Sequence, residues 1–274
     1  MIESVEVPTN AADVVAALGR GGVIIAGGTI LMPKINNEAT DITTLVSTRR
    51  IDNGTVGVDG SSIRIGAATT LATVGRHDAL VFLRSVIESI GSPTIRNMAT
   101  VGGNLFAPAP YGDLAAALVA LDARVEVLSP SGSRTDSVEA IITGGVATDE
   151  LVTSVQFNAP AASGWFYTKA MRRRLNSASI VTIVANLTFD GGRIVSARVG
   201  LGGCGPTARR SPAAEAVLTG GVLDEGTVAA AAQAALADTE FFTDEYASAW
   251  YRERVFPVHF RRALLGESAL GVAS

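Results

Sequence analysis

The chain of 274 residues predicts an α+β protein, and three observations carry that class. Each half holds a hairpin signal, two β-rich runs closed around an Asp-Gly turn. Runs with helical spacing surround the first hairpin and follow the second. Between the halves, residues 158–164 (NAPAASG) are small, polar and proline-bearing, which reads as a linker and divides the chain into domains 1–160 and 161–274.

The elements follow in order. Residues 11–18 suit a helix capped by Asn10. A buried strand is expected over 23–26, and 31–35 is a helical segment interrupted by Pro33. A short strand follows at 43–46, then a hairpin, 55–58 with 62–66, turning at Asp59-Gly60. Thr70 caps a short helix through Val74, and Asp78 a longer one over 80–90. Asp113 caps a helix over 114–121. Strands at 124–128 and from 134 flank the turn SPSG, a helix over 137–143 ends at Gly144-Gly145, and 151–157 is a strand. After the linker, 165–171 is strand-like. Residues 180–189 and 193–201 flank Asp190-Gly191-Gly192 as a second hairpin. Helices are expected over 211–218, 225–237 and 246–265.

Two glycine stretches stand out. In VIIAGGTIL, residues 23–31, a β-branched run meets the pair Gly27-Gly28 and then an apolar segment: strand, tight turn, helix start. It lacks the three-glycine spacing and the later acidic residue of a Rossmann fingerprint. In TIRNMATVGGNLFAPAPYGDL, from Thr94 to Leu114, the pair Gly102-Gly103 is flanked by Thr100 and Asn104, and Pro108 and Pro110 hold the next segment out of helix and sheet. Adjacent glycines allow positive φ and a close backbone approach, so such a turn can cradle a phosphate with its N–H groups. The same residues equally describe a glycine-rich loop feeding a capped helix.

Composition removes several classes. The net charge of −4 offers no basic field for nucleic acid, and 5% aromatic residues make no base-stacking platform. A single cysteine, Cys204, leaves no internal disulfide, no cysteine-ligated iron–sulfur cluster and no cysteine zinc site, and points to a cytoplasmic setting. It sits in the turn GGCGP without a neighbouring histidine, which suits a buried inert thiol. His77 and His259 are the only histidines and fall in different expected domains, so a shared metal site is not read. His259, in an arginine-rich helix, reads as a surface or interface residue. The N-terminus shows no basic and apolar signal-peptide pattern, and no run of ~18 apolar residues spans a membrane. The run Arg172-Arg173-Arg174 reads as a solvated face, or as a docking edge or phosphate neighbour.

AGGTILMP (residues 26–33), TIRNMATVGGNLFAPAPYGDLAAALVALDARVEV (94–127), Lys169 with the basic residues after it, and LGGCGPTARR (201–210) together resemble the FAD-binding medium subunit of molybdenum hydroxylases, the xanthine dehydrogenase and carbon monoxide dehydrogenase medium-subunit family. The resemblance covers nearly the whole chain in order, and its middle motif is the specific one. It implies a two-lobed FAD-binding domain of the vanillyl-alcohol-oxidase (PCMH) type, then a C-terminal α+β domain with an antiparallel sheet.

It also implies the site. The first turn, Ile24, Ile25, Ala26, Gly27, Gly28, Thr29, Ile30 and Leu31, matches the segment that binds the FAD pyrophosphate. Thr100 matches a phosphate-binding hydroxyl, beside Gly102 and Gly103, and Asn104 and Asp113 match other FAD contacts. Ile90 falls where xanthine enzymes place a phenylalanine against the adenine, and Ala107 where some members have a hydroxyl. Leu151 and Lys169 match positions near the flavin. Asn176-Ser177 replaces an Asp-Tyr pair whose tyrosine covers the flavin ring in carbon monoxide dehydrogenase-type subunits. The implied activity is an oxidoreductase's electron transfer, from a [2Fe–2S] small subunit to FAD and on to an external acceptor. A large subunit would hold the molybdenum cofactor, in a dimer of heterotrimers. A stand-alone flavoprotein oxidase or reductase and a scaffold subunit without flavin are the alternatives. Flavin absorption and co-purifying metals separate them.

Overall fold

The computed structural model describes residues 2–37, 40–51, 54–173 and 177–266. In chain order the elements are β1 (Ser4–Glu6), α1 (Ala11–Gly19), β2 (Val23–Ile25), α2 (Leu31–Asn37), β3 (Thr44–Ser47), β4 (Val56–Asp59), β5 (Ser62–Gly66), α3 (Leu71–Arg76), α4 (Arg84–Glu88), α5 (Pro93–Met98), α6 (Val101–Leu105), α7 (Asp113–Ala120), β6 (Arg124–Ser129), β7 (Gly132–Ser137), α8 (Val138–Gly144), β8 (Leu151–Asn158), β9 (Trp165–Met171), β10 (Ser179–Asp190), β11 (Arg193–Gly202), β12 (Arg209–Arg210), α9 (Pro212–Leu218), α10 (Glu225–Ala235) and α11 (Ala249–Leu265). They gather into two compact units. The first draws on 1–87, 92–107 and 123–158, the second on 88–91, 108–122 and 159–274.

The first unit has two lobes. One is a parallel sheet in the order β1-β3-β2, with α1 and α2 as the crossovers that parallel pairing demands. The Asn10 side chain caps α1 by accepting the Asp13 N–H at 2.9 Å. The apolar face of α1, Val14, Val15, Ala17 and Leu18, packs with Val46, Ile51 and Leu151 in a small core. The other lobe is an antiparallel sheet in the order β4-β5-β8-β6-β7. Alternate residues Ile63, Ile65, Val125, Val127, Val155 and Phe157 are buried, the period-two pattern of a sheet with one covered face.

The second unit is an antiparallel sheet in the order β12-β11-β10-β9, packed with helices. Its long hairpin turns at Gly191-Gly192, both at positive φ (54° and 82°). Helix α7 is buried along its whole length and lies so close to β11 that a Cβ on Gly200 would stand 2.1 Å from the Ala116 carbonyl oxygen. Helices α9, α10 and α11 bring Leu218, Ala231, Phe256 and Phe260 to the main core. The guanidinium of Arg252 is wholly buried there. It pairs with Asp244 at 2.6 Å and donates to the carbonyls of Ser179, Ile180 and Gly203, which is the condition for burying a charge.

Several local expectations change. Pro33 does not interrupt α2. It is the third residue of the helix, where the N–H it lacks would have no intrahelical partner. The long helix expected over 80–90 is a 3-10 segment, Asp78–Leu83, followed by α4, and its cap is the His77 imidazole, which accepts the Ala79 N–H, rather than Asp78. Asp113 is the first residue of α7 and not its cap. Gly112, at φ 92°, holds that place, because the Asp113 carboxylate is drawn to Lys169 and Thr182. The last two helices are shorter than expected. A 3-10 turn takes over from α10 at Leu236, and Ser248 caps α11.

Candidate functional site

The site grows from the carboxyl ends of β2 and β3, where open parallel sheets bind ligands. Strand β2 ends at Ile25 and the chain turns through Ala26–Ile30 into α2. Gly27 lies against the last residue of α5, and a Cβ there would stand 2.0 Å from the Met98 carbonyl oxygen. Gly28 is at φ 68°, which a side chain rarely adopts. Among the described residues, no protein acceptor takes up the backbone N–H groups of Gly27, Gly28, Thr29 or Ile30. The turn therefore offers a row of donors to a ligand.

The second glycine pair works differently from expectation. Gly102 and Gly103 sit inside the short helix α6, without positive φ. The N–H groups of Val101 and Gly102 donate to the carbonyls of Thr69 and Ala67, each at 2.9 Å, and that of Gly103 to Thr100 Oγ1 at 3.2 Å. This turn is thus no N–H cradle, because its donors are spent in docking α6 on the segment after β5. It presents side chains instead. Thr100, which caps α6, keeps its hydroxyl proton to donate. Asn104 is buried, and its Oδ1 has no partner among the described residues. An unpaired buried amide oxygen calls for a ligand or water donor.

Both turns line one cavity of about 360 Å³, with Ile24, Ala26, Gly27, Gly28, Thr29, Ile30, Leu31, Thr100, Gly102, Gly103, Asn104 and Leu151 among its walls. The sequence reading missed Thr48, the residue after β3, and Lys34, one residue after Pro33, both of which also line it. Lys34 was legible from its nearness to the glycine turn. Glu150 lines the cavity too, but Arg134 holds its carboxylate at 2.7 and 3.2 Å and the Ala147 N–H at 2.9 Å. Those bonds, Arg134 first, keep it below the usual carboxylate range. A second cavity of about 810 Å³ shares Ala26, Gly27, Thr48, Ala68 and Thr100 with the first, and Ile25 faces this one, beside Arg49 and Arg50.

The remaining candidates are not among the lining residues of either cavity. Ala107 is in the first unit and its N–H donates to the Asn104 carbonyl at 3.2 Å. Ile90, Asp113 and Lys169 belong to the second unit. There Lys169 Nζ and the Asp113 carboxylate form an ion pair at 2.7 Å, each side chain 4% exposed. Lys169 also donates to the Ser89 carbonyl at 3.0 Å, and Thr182 Oγ1 donates to Asp113 at 2.7 Å. Burial, and then the Asp113 charge, push the Tyr167 phenol well above its ordinary range.

The bland reading holds for Cys204, whereas His259, read as a surface or interface residue, is half-buried. Cys204 is fully buried, its thiol pushed up to about 12 by desolvation. His259 is held below its ordinary range by burial and then by Arg262. Arg172 and Arg173 are exposed, whereas Arg174 and Asn176 lie outside the described residues. Arg210 is tied to Glu215 at 2.6 Å.

Comparison with known proteins fits this geometry. The family described as the FAD binding domain in molybdopterin dehydrogenase matches residues 2–160, and the CO dehydrogenase flavoprotein C-terminal domain matches 166–266. The carbon monoxide dehydrogenase medium chain of Afipia carboxidovorans is 29% identical over 94% of this chain and 93% of its own. The nicotine 6-hydroxylase medium subunit of Paenarthrobacter nicotinovorans is 28% identical over 90% and 89%. A carbon monoxide dehydrogenase structure from Hydrogenophaga pseudoflava superposes with a TM-score of 0.92 at 26% identity, covering 98% of both chains. The chain belongs to the family of FAD-binding medium subunits of molybdenum hydroxylases, which are oxidoreductases. The donors present suit FAD: a dinucleotide pyrophosphate needs converging N–H and hydroxyl groups, and the first turn and Thr100 supply them.

Proposed function

We propose that this chain is the electron-transfer subunit of a heterotrimeric molybdenum hydroxylase of the cytoplasm. It would receive electrons from a [2Fe–2S] small subunit, in a complex whose large subunit holds the molybdenum cofactor, and pass them to an external acceptor. The complex would be a dimer of heterotrimers. The observation that carries the reading is the cavity in which the open N–H groups of the first glycine turn meet Thr100 and Asn104, whose Oδ1 has no partner among the described residues.

FAD, when bound, supplies two-electron chemistry that can be entered one electron at a time. The chain's own residues bind and orient. The N–H groups of Gly27 to Ile30 take the pyrophosphate oxygens, the Thr100 hydroxyl donates to the same group, and Asn104 Oδ1 accepts from the cofactor. Ile24, Leu31 and Leu151 give apolar walls. Ile90, Ala107, Asp113 and Lys169 belong to the same proposed set, with residues 1–160 as the FAD-binding domain and 161–274 as the C-terminal domain.

Acid precipitation of the purified chain should release about one FAD per chain to the supernatant. Yellow colour that stays with the pellet would mean a covalent link, and a colourless native chain that takes up no FAD would favour a scaffold. Purification from native cells should bring iron and molybdenum with the flavin. A metal-free, substrate-reducible flavoprotein would favour the stand-alone oxidase.

A further inference from the structure

We propose that Lys34 pairs with the pyrophosphate of FAD, supplying the positive charge that the glycine turn lacks. The proposal rests on the FAD reading above. Only two charged side chains, Lys34 and Glu150, line the first cavity among the described residues. Glu150 is committed to Arg134 and the Ala147 N–H. Lys34 has no ion-pair partner among the described residues.

Its position is fixed by the fold. The Lys34 N–H donates to the Ile30 carbonyl at 3.3 Å, which ties the first turn of α2 to the glycine turn. Leu31 and Lys34 are three apart on α2 and so share a face, and both line the cavity. The side chain is exposed, so its long stem can carry the ammonium to a ligand in the cavity mouth.

The charge balance points the same way. A dinucleotide pyrophosphate carries about two negative charges, while backbone N–H groups and a threonine hydroxyl are neutral donors. A lysine ammonium acts as a point charge toward phosphate and needs no fixed fork geometry, which suits an exposed helix position.

The test uses the full chain stripped of flavin, titrated with FAD, ADP and riboflavin in turn. Riboflavin has the ring without any phosphate, and ADP the pyrophosphate without the ring. Lys34→Met should weaken FAD and ADP about fivefold at low salt, the scale of a solvent-exposed charge pair, and leave riboflavin unchanged. The difference from wild type should shrink as salt is raised toward ~1 M. Lys34→Arg should retain FAD binding. A Lys34→Met chain that binds FAD and ADP like wild type overturns the proposal while leaving the FAD reading intact. So does a variant that loses riboflavin as much as FAD, since the lysine would then be shaping the cavity. A wild-type chain that binds FAD no better than an unrelated protein overturns the FAD reading first.

Discussion

Adjacent glycines do unlike work in this chain, and substitution should show it. At Gly27 a Cβ would stand 2.0 Å from the Met98 carbonyl oxygen, a backbone atom that cannot rotate away. Gly27→Ala is therefore expected to lower stability by about 3 kcal/mol and to empty the chain of FAD. At Gly103 the nearest atom to an added Cβ is the Thr100 hydroxyl at 3.1 Å, and the backbone is helical. Gly103→Ala should change the urea midpoint little, since alanine gains up to ~1 kcal/mol of helix propensity over glycine. Equal losses in the two variants would contradict this contrast. The sequence displayed both pairs plainly. What it hid was the reason for each, because close approach to Met98 is made by a residue some 70 positions away.

The short helix α6 shows the same limit at the scale of an element. Five residues carry no readable period, and Gly-Gly argues against helix, so VGGNL read as a loop. The helix exists because its N-cap and its docking bonds to Ala67 and Thr69 supply what propensity does not. Thr100 thus caps α6 and, in the proposed site, also donates to the ligand. Thr100→Val should cost about 1 kcal/mol through the lost cap and should also weaken FAD binding. Thr100→Ser should preserve both. Urea unfolding and flavin titration check the two effects separately, and a Val variant with intact flavin affinity would leave only the cap. By contrast α1, both hairpins and the strands β6, β8 and β9 were legible, since periodicity and turn chemistry act within a short window.

For the molecule as a whole, assembly is the property to test. Arg172 and Arg173 lie just beyond β9, the strand that bears Lys169, and both are exposed. Arg172 donates to the Glu245 carbonyl at 3.3 Å and has no ion-pair partner among the described residues. If this face meets the proposed iron–sulfur subunit, Arg172→Glu with Arg173→Glu should weaken that assembly by at least tenfold and slow substrate-driven flavin reduction. Chemical reduction of the isolated chain should be unaffected. Unchanged assembly would make the pair a solvated patch.

Class and order of elements were readable from sequence, but the weaving of segments was not, because nothing local marks 88–91 or 108–122 as members of the second unit. That weaving has a consequence during synthesis. Helix α7 leaves the ribosome with almost no polar surface, and the strand it must lie against, β11, is made roughly 80 residues later. At ordinary translation rates α7 waits for about 4 to 16 seconds without its sheet. A nascent chain stalled in that interval should bind chaperones through this helix and release them once β11 has emerged.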